Sequence, residues 1–210
     1  MNKYKVTNVV LGIFFLGSLW GFIEASFGDW LYTNTVAPPS IYLTTLAICI
    51  LASSKEFYKY RWTGTALGAI AMLFKFVNMP FFACHLLAIF LLGFGFDLAY
   101  ELISRFYRGT FRLPIIGLIG TYCGRALFAT IITYLVRYSY WTEAGISKVI
   151  DYIFITGTVS AILGSIAVPI GNRLANRILI FSRLKLRPQI STATVFTASA
   201  GIWILQIALW

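Results

Sequence analysis

Between Phe81 and Ile103 the chain reads FFACHLLAIFLLGFGFDLAYELI. A helix rising 1.5 Å per residue needs about 20 apolar residues to cross roughly 30 Å of hydrocarbon, and this run is long enough. Lipid offers no water to the backbone, so the run must satisfy its own N–H and C=O groups and reads as helix. Barrel strands would be shorter and would alternate in polarity.

Working outward, further apolar runs occupy about 6 to 27, 41 to 53, 63 to 79, 113 to 136, 150 to 172 and 192 to 210. They predict an all-α polytopic integral membrane helix bundle: one transmembrane domain over residues 1–210, with six transmembrane helices and a seventh at the C-terminus. Composition agrees, since 59% of the residues are hydrophobic and 11% charged, against about 45–50% and 25% in soluble domains. Pro38 and Pro39, Asn78 to Pro80, Pro114 and Pro188 punctuate the runs. The run at 41 to 53 is short. It is expected to tilt, to re-enter, or to extend into the segment from Lys55 to Trp62. Lys3 and Lys5 before Val6 resemble the start of a signal peptide, but no A-x-A pattern follows the long first run, which is expected to remain as a span.

A net charge of +10 raises nucleic acid as a partner, yet the 17 Lys and Arg residues gather between apolar runs and form no stripe on a polar fold. They mark topology instead. Lys3 and Lys5, then Lys55, Lys59 and Arg61, then Arg105, Arg108 and Arg112, then Arg173, Arg177, Arg183, Lys185 and Arg187 alternate with segments holding only Arg137 and Lys148. Positive loops stay inside, which predicts a cell-membrane protein with a cytoplasmic amino terminus and with 28 to 40 and 137 to 149 external. Trp30, Tyr32, Trp62, Tyr138, Tyr140 and Trp141 fall at span ends, as interfacial aromatic belts do. Cys49, Cys84 and Cys123 lie inside apolar runs without ligand spacing and read as lipid-facing or core residues. Nucleophile elbows, HExxH, phosphate loops and paired catalytic carboxylates are absent, so neither an enzyme nor a cofactor is expected.

Ionisable residues at membrane depth carry the functional argument. Counted from the cytoplasmic ends of their spans, Lys75 and Arg125 lie about 18 Å in, with Glu24 deeper and His85 near the outer surface. Asn78 shares a helical face with Lys75, and Trp20 lies one turn before Glu24. The expected substrate site is therefore Trp20, Glu24, Lys75, Asn78, His85 and Arg125, in an external cavity. Lys75 and Arg125 would neutralise a small anionic ligand, Glu24 and Asn78 would orient it, and Trp20 would form an aromatic wall. The competing reading pairs the two cations with Glu24 and leaves no ligand. Asp97 and Glu101, one turn apart near Arg105 and Arg108, read either as an interfacial salt bridge or as a proton relay. No metal site is expected at His85.

Small residues recur at helical spacing: Gly17, Gly21 and Ala25, then Gly64 and Gly68, then Gly120 and Gly124. They permit close helix approach, within the chain or to a partner. The six spans starting from inside, the Gly17-x-x-x-Gly21-x-x-x-Ala25 stripe, the long external loop and the two short runs that follow it resemble the substrate-binding S components of energy-coupling-factor transporters. The resemblance covers residues 1 to about 175. It implies a six-helix subunit that captures a vitamin-like micronutrient from outside. It also implies that Gly17, Gly21 and Ala25 dock a transmembrane coupling subunit served by two ATPases. The segment Leu19 to Ala25 and the stretch Lys75 to His85 sit where such proteins place outward-facing binding residues. The seventh span departs from that six-helix pattern. A self-contained secondary carrier using Asp97, Glu101 and Glu24, and a structural membrane protein without a ligand, remain as alternatives.

The charge asymmetry predicts that Tyr107→Cys resists an impermeant thiol reagent in intact cells and reacts after lysis; modification in intact cells would overturn the orientation.

Overall fold

A computed structural model describes residues 3–34, 38–77, 83–185 and 188–209, and all regular structure among them is helical. The principal helices are α1 (Lys3–Phe22), α3 (Pro39–Tyr58), α4 (Thr63–Val77), α5 (Ala83–Phe106), α6 (Arg112–Thr130), α9 (Thr156–Lys185) and α10 (Pro188–Leu209). Short helices α2 (Gly28–Thr33), α7 (Ser139–Thr142) and α8 (Gly145–Ile150) complete the set. Four helical stretches are long and apolar enough to cross a bilayer: Val9–Thr33, Cys84–Phe106, Arg112–Leu135 and Gly145–Ile180. Thr63–Phe74 and Ala193–Ala208 are apolar but shorter.

The expected run at 41 to 53 is extended at both ends. Pro39 at the first turn opens α3, where its missing N–H costs nothing, and Lys59 closes it in the left-handed conformation with φ 52°. Although α3 has 20 residues, it is not among the four span-length apolar stretches, because Ser, Thr, Lys55 and Glu56 dilute its hydropathy. A second difference concerns the segment 173 to 187, expected as a loop. The helix α9 continues through it to Lys185, with Arg173 and Arg177 exposed on its surface.

Helices α3, α4, α5, α6 and α9 close a ring, α1 lies against α4 and α3, and α10 packs on the outside of α1. The ring closes through backbone at close approach. A Cβ on Gly95 would lie 2.5 Å from the Gly124 nitrogen, and one on Gly93 would collide with the Gly64 carbonyl. Gly117 meets Gly164 in the same way, and Gly171 meets the Cys49 carbonyl. The Gly17, Gly21 and Ala25 stripe, expected to dock a partner, faces inward. A Cβ at Gly17 would fall 2.7 Å from Ile70 and one at Gly21 2.6 Å from Phe74, while Ala25 is fully buried. The stripe is a seam between α1 and α4, because α4 itself fills the groove that small residues open.

Asp97 and Glu101 also find partners other than those one turn away. Buried Asp97 pairs with buried Lys55 at 2.7 Å and accepts hydrogen bonds from the Gly64 and Thr65 amides and the Thr65 hydroxyl. It thereby caps the start of α4, whose first amides have no helical acceptor. Lys55 further donates to the Tyr60 carbonyl. Glu101 pairs with Arg61 at 3.2 Å. Both acids are salt-bridged, but the cations come from α3 and the α3–α4 turn instead of Arg105.

On α10, Trp203 stacks with Phe14, lies tilted against Phe74 and donates to the Ser18 hydroxyl at 3.0 Å. Overpacking the α1–α4 seam with Gly21→Leu is expected to cost about 1–3 kcal/mol. Gly201, with open space around it, provides the control: thermal unfolding in detergent should be lowered by Gly21→Leu and little changed by Gly201→Leu.

Candidate functional site

At the end of the bundle opposite the Lys55–Asp97 pair, a cavity of about 250 Å³ opens between the turn that follows α1, helices α2, α3, α5, α6 and α7, and the chain that enters α9. Two π-turns help to shape it. Ile23–Phe27 presents Glu24 and Asp151–Ile155 presents Tyr152, both on the cavity wall. A third, Ile131–Leu135, prolongs α6 beside it. Such turns insert one residue into a helix, re-aim the side chains beyond it, and occur often at functional sites.

Arg125 is the charged centre. Only 2% of its surface is exposed. Its Nη2 donates to the Ser160 hydroxyl at 2.8 Å and its Nη1 to the Thr156 hydroxyl at 3.1 Å and the Tyr152 carbonyl at 3.3 Å. Longer contacts of 3.4–3.5 Å run from Nη2 to the Ser40 carbonyl, the Ser40 hydroxyl and the Thr44 hydroxyl. The Nε is buried without an acceptor. The Tyr152 ring lies 4.6 Å from the guanidinium carbon, a cation–π contact. All these acceptors are neutral, and no carboxylate among the described residues lies within ion-pair distance of Arg125. An isolated buried cation costs several kcal/mol unless an anion or further hydrogen bonds compensate it. Arg125 is therefore compensated by neutral oxygens and a ring face, with Glu24 on the same cavity wall but beyond ion-pair distance.

Glu24, His85 and Arg125 of the expected site line this cavity. Trp20 does not. It is buried in the main core with Ala47, Ile48 and Leu51, one turn deeper along α1 than Glu24 and ahead of the π-turn at Ile23–Phe27 that carries Glu24. The aromatic wall comes instead from Tyr32, Phe128, Tyr140, Trp141 and Tyr152. Tyr32 stacks on His85 with centroids 5.9 Å apart, and Phe128, Trp141 and Tyr152 form a mutual cluster with centroids 5.2–5.5 Å apart. Lys75 belongs to α4, none of whose described side chains joins the lining; its own side chain, and all of Asn78, lie outside the described residues.

Two readings change with this geometry. Trp141, assigned to an interfacial belt, is 6% exposed and roofs the cavity cluster, whereas Tyr140 is 65% exposed. Cys84, assigned to lipid or core, lines the cavity. The hydroxyls around Arg125 were also not foreseen. Their signal was local: Ser40 and Thr44 on α3, and Thr156 and Ser160 on α9, are each four residues apart and so share a helical face.

No protein-family model matches this chain, and neither a curated protein nor a solved structure matches it.

Removing the roof tests the arrangement. Trp141→Ala should lower stability by about 3 kcal/mol, the usual scale for truncating a buried aromatic, whereas Trp30→Ala, at a site 58% exposed, should leave thermal unfolding nearly unchanged.

Proposed function

We propose that this chain is the substrate-binding subunit of a membrane uptake system, taking a small anionic, vitamin-like micronutrient into the cavity at Arg125. The observation that carries the reading is Arg125 itself: a permanent cation, almost wholly desolvated, held by neutral oxygens beside a cavity of small-molecule size. A carboxylate or phosphate there would supply the missing counter-charge and an acceptor for the Nε, and the aromatic wall would cover the apolar remainder of the ligand.

On this reading the chain spans the cell membrane six times with α10 as a seventh span. Its amino terminus is cytoplasmic and the cavity opens outward. The resemblance to S components of energy-coupling-factor transporters supports the division of labour, with a transmembrane coupling subunit and ATPases providing energy. Because α4 occupies the α1 stripe, such a subunit would bind elsewhere on the bundle. The engagement of Asp97 by Lys55 and of Glu101 by Arg61 weighs against the secondary-carrier alternative, since both of its inner coupling acids are already neutralised.

Native mass spectrometry of gently purified protein is the direct test. Wild type is expected to retain an anionic small molecule. Arg125→Met should lose it while keeping its thermal stability, a change of about 2–5 kcal/mol, or roughly 30-fold to a few thousand-fold in Kd. Arg125→Lys should retain it in part, because the ammonium keeps charge and loses the planar fork. Undiminished retention by Arg125→Met refutes the proposal.

A further inference from the structure

At the other end of the bundle an open furrow of about 940 Å³ runs along α5 and α6. Leu98, Leu102 and Phe106 form one wall, spaced four residues apart on α5, and Ile119 and Cys123 form the other on α6. At 1.5 Å per residue the α5 wall is about 12 Å long. It is exposed apolar surface, with Leu102 at 57% and Phe106 at 75%.

The mouth of the furrow is polar and carries excess positive charge. Arg61, Glu101 and Arg105 stand there. Glu101 is taken by Arg61 at 3.2 Å. Arg105 has no carboxylate partner among the described residues and lies 5.7 Å from the Phe106 ring centroid. Between wall and mouth, the Ser104 hydroxyl lines the furrow buried and without a hydrogen-bond partner. One uncompensated cation, one idle hydroxyl and an apolar trough leading away from both match an amphiphile with an anionic head.

We propose that this furrow is a binding site for an anionic phospholipid, with one acyl chain along Leu98, Leu102 and Ile119 and its phosphate at Arg105 and Ser104. The charge balance selects the headgroup: a zwitterionic lipid brings its own cation to a mouth that already carries one in excess. Attraction of an anionic headgroup to one basic residue is worth about 1 kcal/mol, which corresponds to about fivefold in occupancy. The proposal rests on the bilayer placement of the bundle and is independent of what Arg125 binds.

The experiment is native mass spectrometry of the full chain in detergent, titrated with phosphatidylglycerol or with phosphatidylcholine of the same acyl chains. The expected result is about fivefold preference for phosphatidylglycerol, lost in Arg105→Gln and kept in Arg108→Gln, whose side chain is off the furrow. Ile119→Trp, which fills the trough at a surface position, should reduce retention of both lipids without lowering thermal stability. Equal loss in Arg105→Gln and Arg108→Gln would make the preference a property of general surface charge and overturn the site. Binding of glycerol 1-phosphate with the same Arg105 dependence would overturn the role of the trough. A chain that stays monodisperse without detergent would instead overturn the bilayer placement, a separate failure.

Discussion

The bundle depends on backbone meeting backbone. In lipid no hydrophobic force draws one helix to another, and association relies on van der Waals packing and interhelical hydrogen bonds between surfaces that can approach closely. Gly64 against Gly93, Gly95 against Gly124, Gly117 against Gly164 and Gly171 against the Cys49 carbonyl carry this contact from α4 through α5, α6 and α9 to α3. No larger residue fits at these crossings. The Lys55–Asp97 pair then fixes three elements at one point, because Asp97 of α5 holds both Lys55 of α3 and the opening amides of α4.

The two ends of the ring differ in consequence. Where Lys55 and Asp97 meet, opposite charges and capped amides satisfy one another and the packing is closed. At the cavity end, regular helix gives way to π-turns at Ile23–Phe27, Ile131–Leu135 and Asp151–Ile155, and a cation is left among neutral oxygens. The first arrangement holds shape; the second leaves a cavity beside a buried cation. This separation lets Arg125 stay desolvated without the bundle loosening around it.

Much of the architecture was legible because apolar length is a one-dimensional property. The runs around Phe81 to Ile103 and 113 to 136 became α5 and α6 with little change. Helix ends were less legible where polar residues continue a helix, as buried Lys55 does in α3 and exposed Arg173 does in α9, since a cation that closes an apolar run need not close the helix. In the site, Glu24, His85 and Arg125 do come together, but Trp20, one turn from Glu24 on what a regular helix would make the same face, lies in the core, because a π-turn breaks the register between them. A separate limit hid the destination of the Gly17 and Gly21 stripe, because small residues predict closeness without saying to what. Trp141 was misread because an aromatic at a span end looks alike whether it faces headgroups or folds back over a neighbour.

The modest hydropathy of α3 has a consequence for how the protein is made. On the proposed topology, a segment with Ser40, Thr44, Ser53 and Lys55 along it has little drive of its own to partition into lipid. Its partners arrive at different times. Thr63 to Val77 follows immediately and Asp97 soon after, but the long helix against which α3 packs most extensively, α9, is synthesised only after about 100 further residues. Ser53 donates to the Gly171 carbonyl, and Glu56 receives the Asn172 amide, only once that helix is in place. On that topology biogenesis is a waiting problem, in which an early, semi-polar helix is sheltered until a late one completes its surroundings.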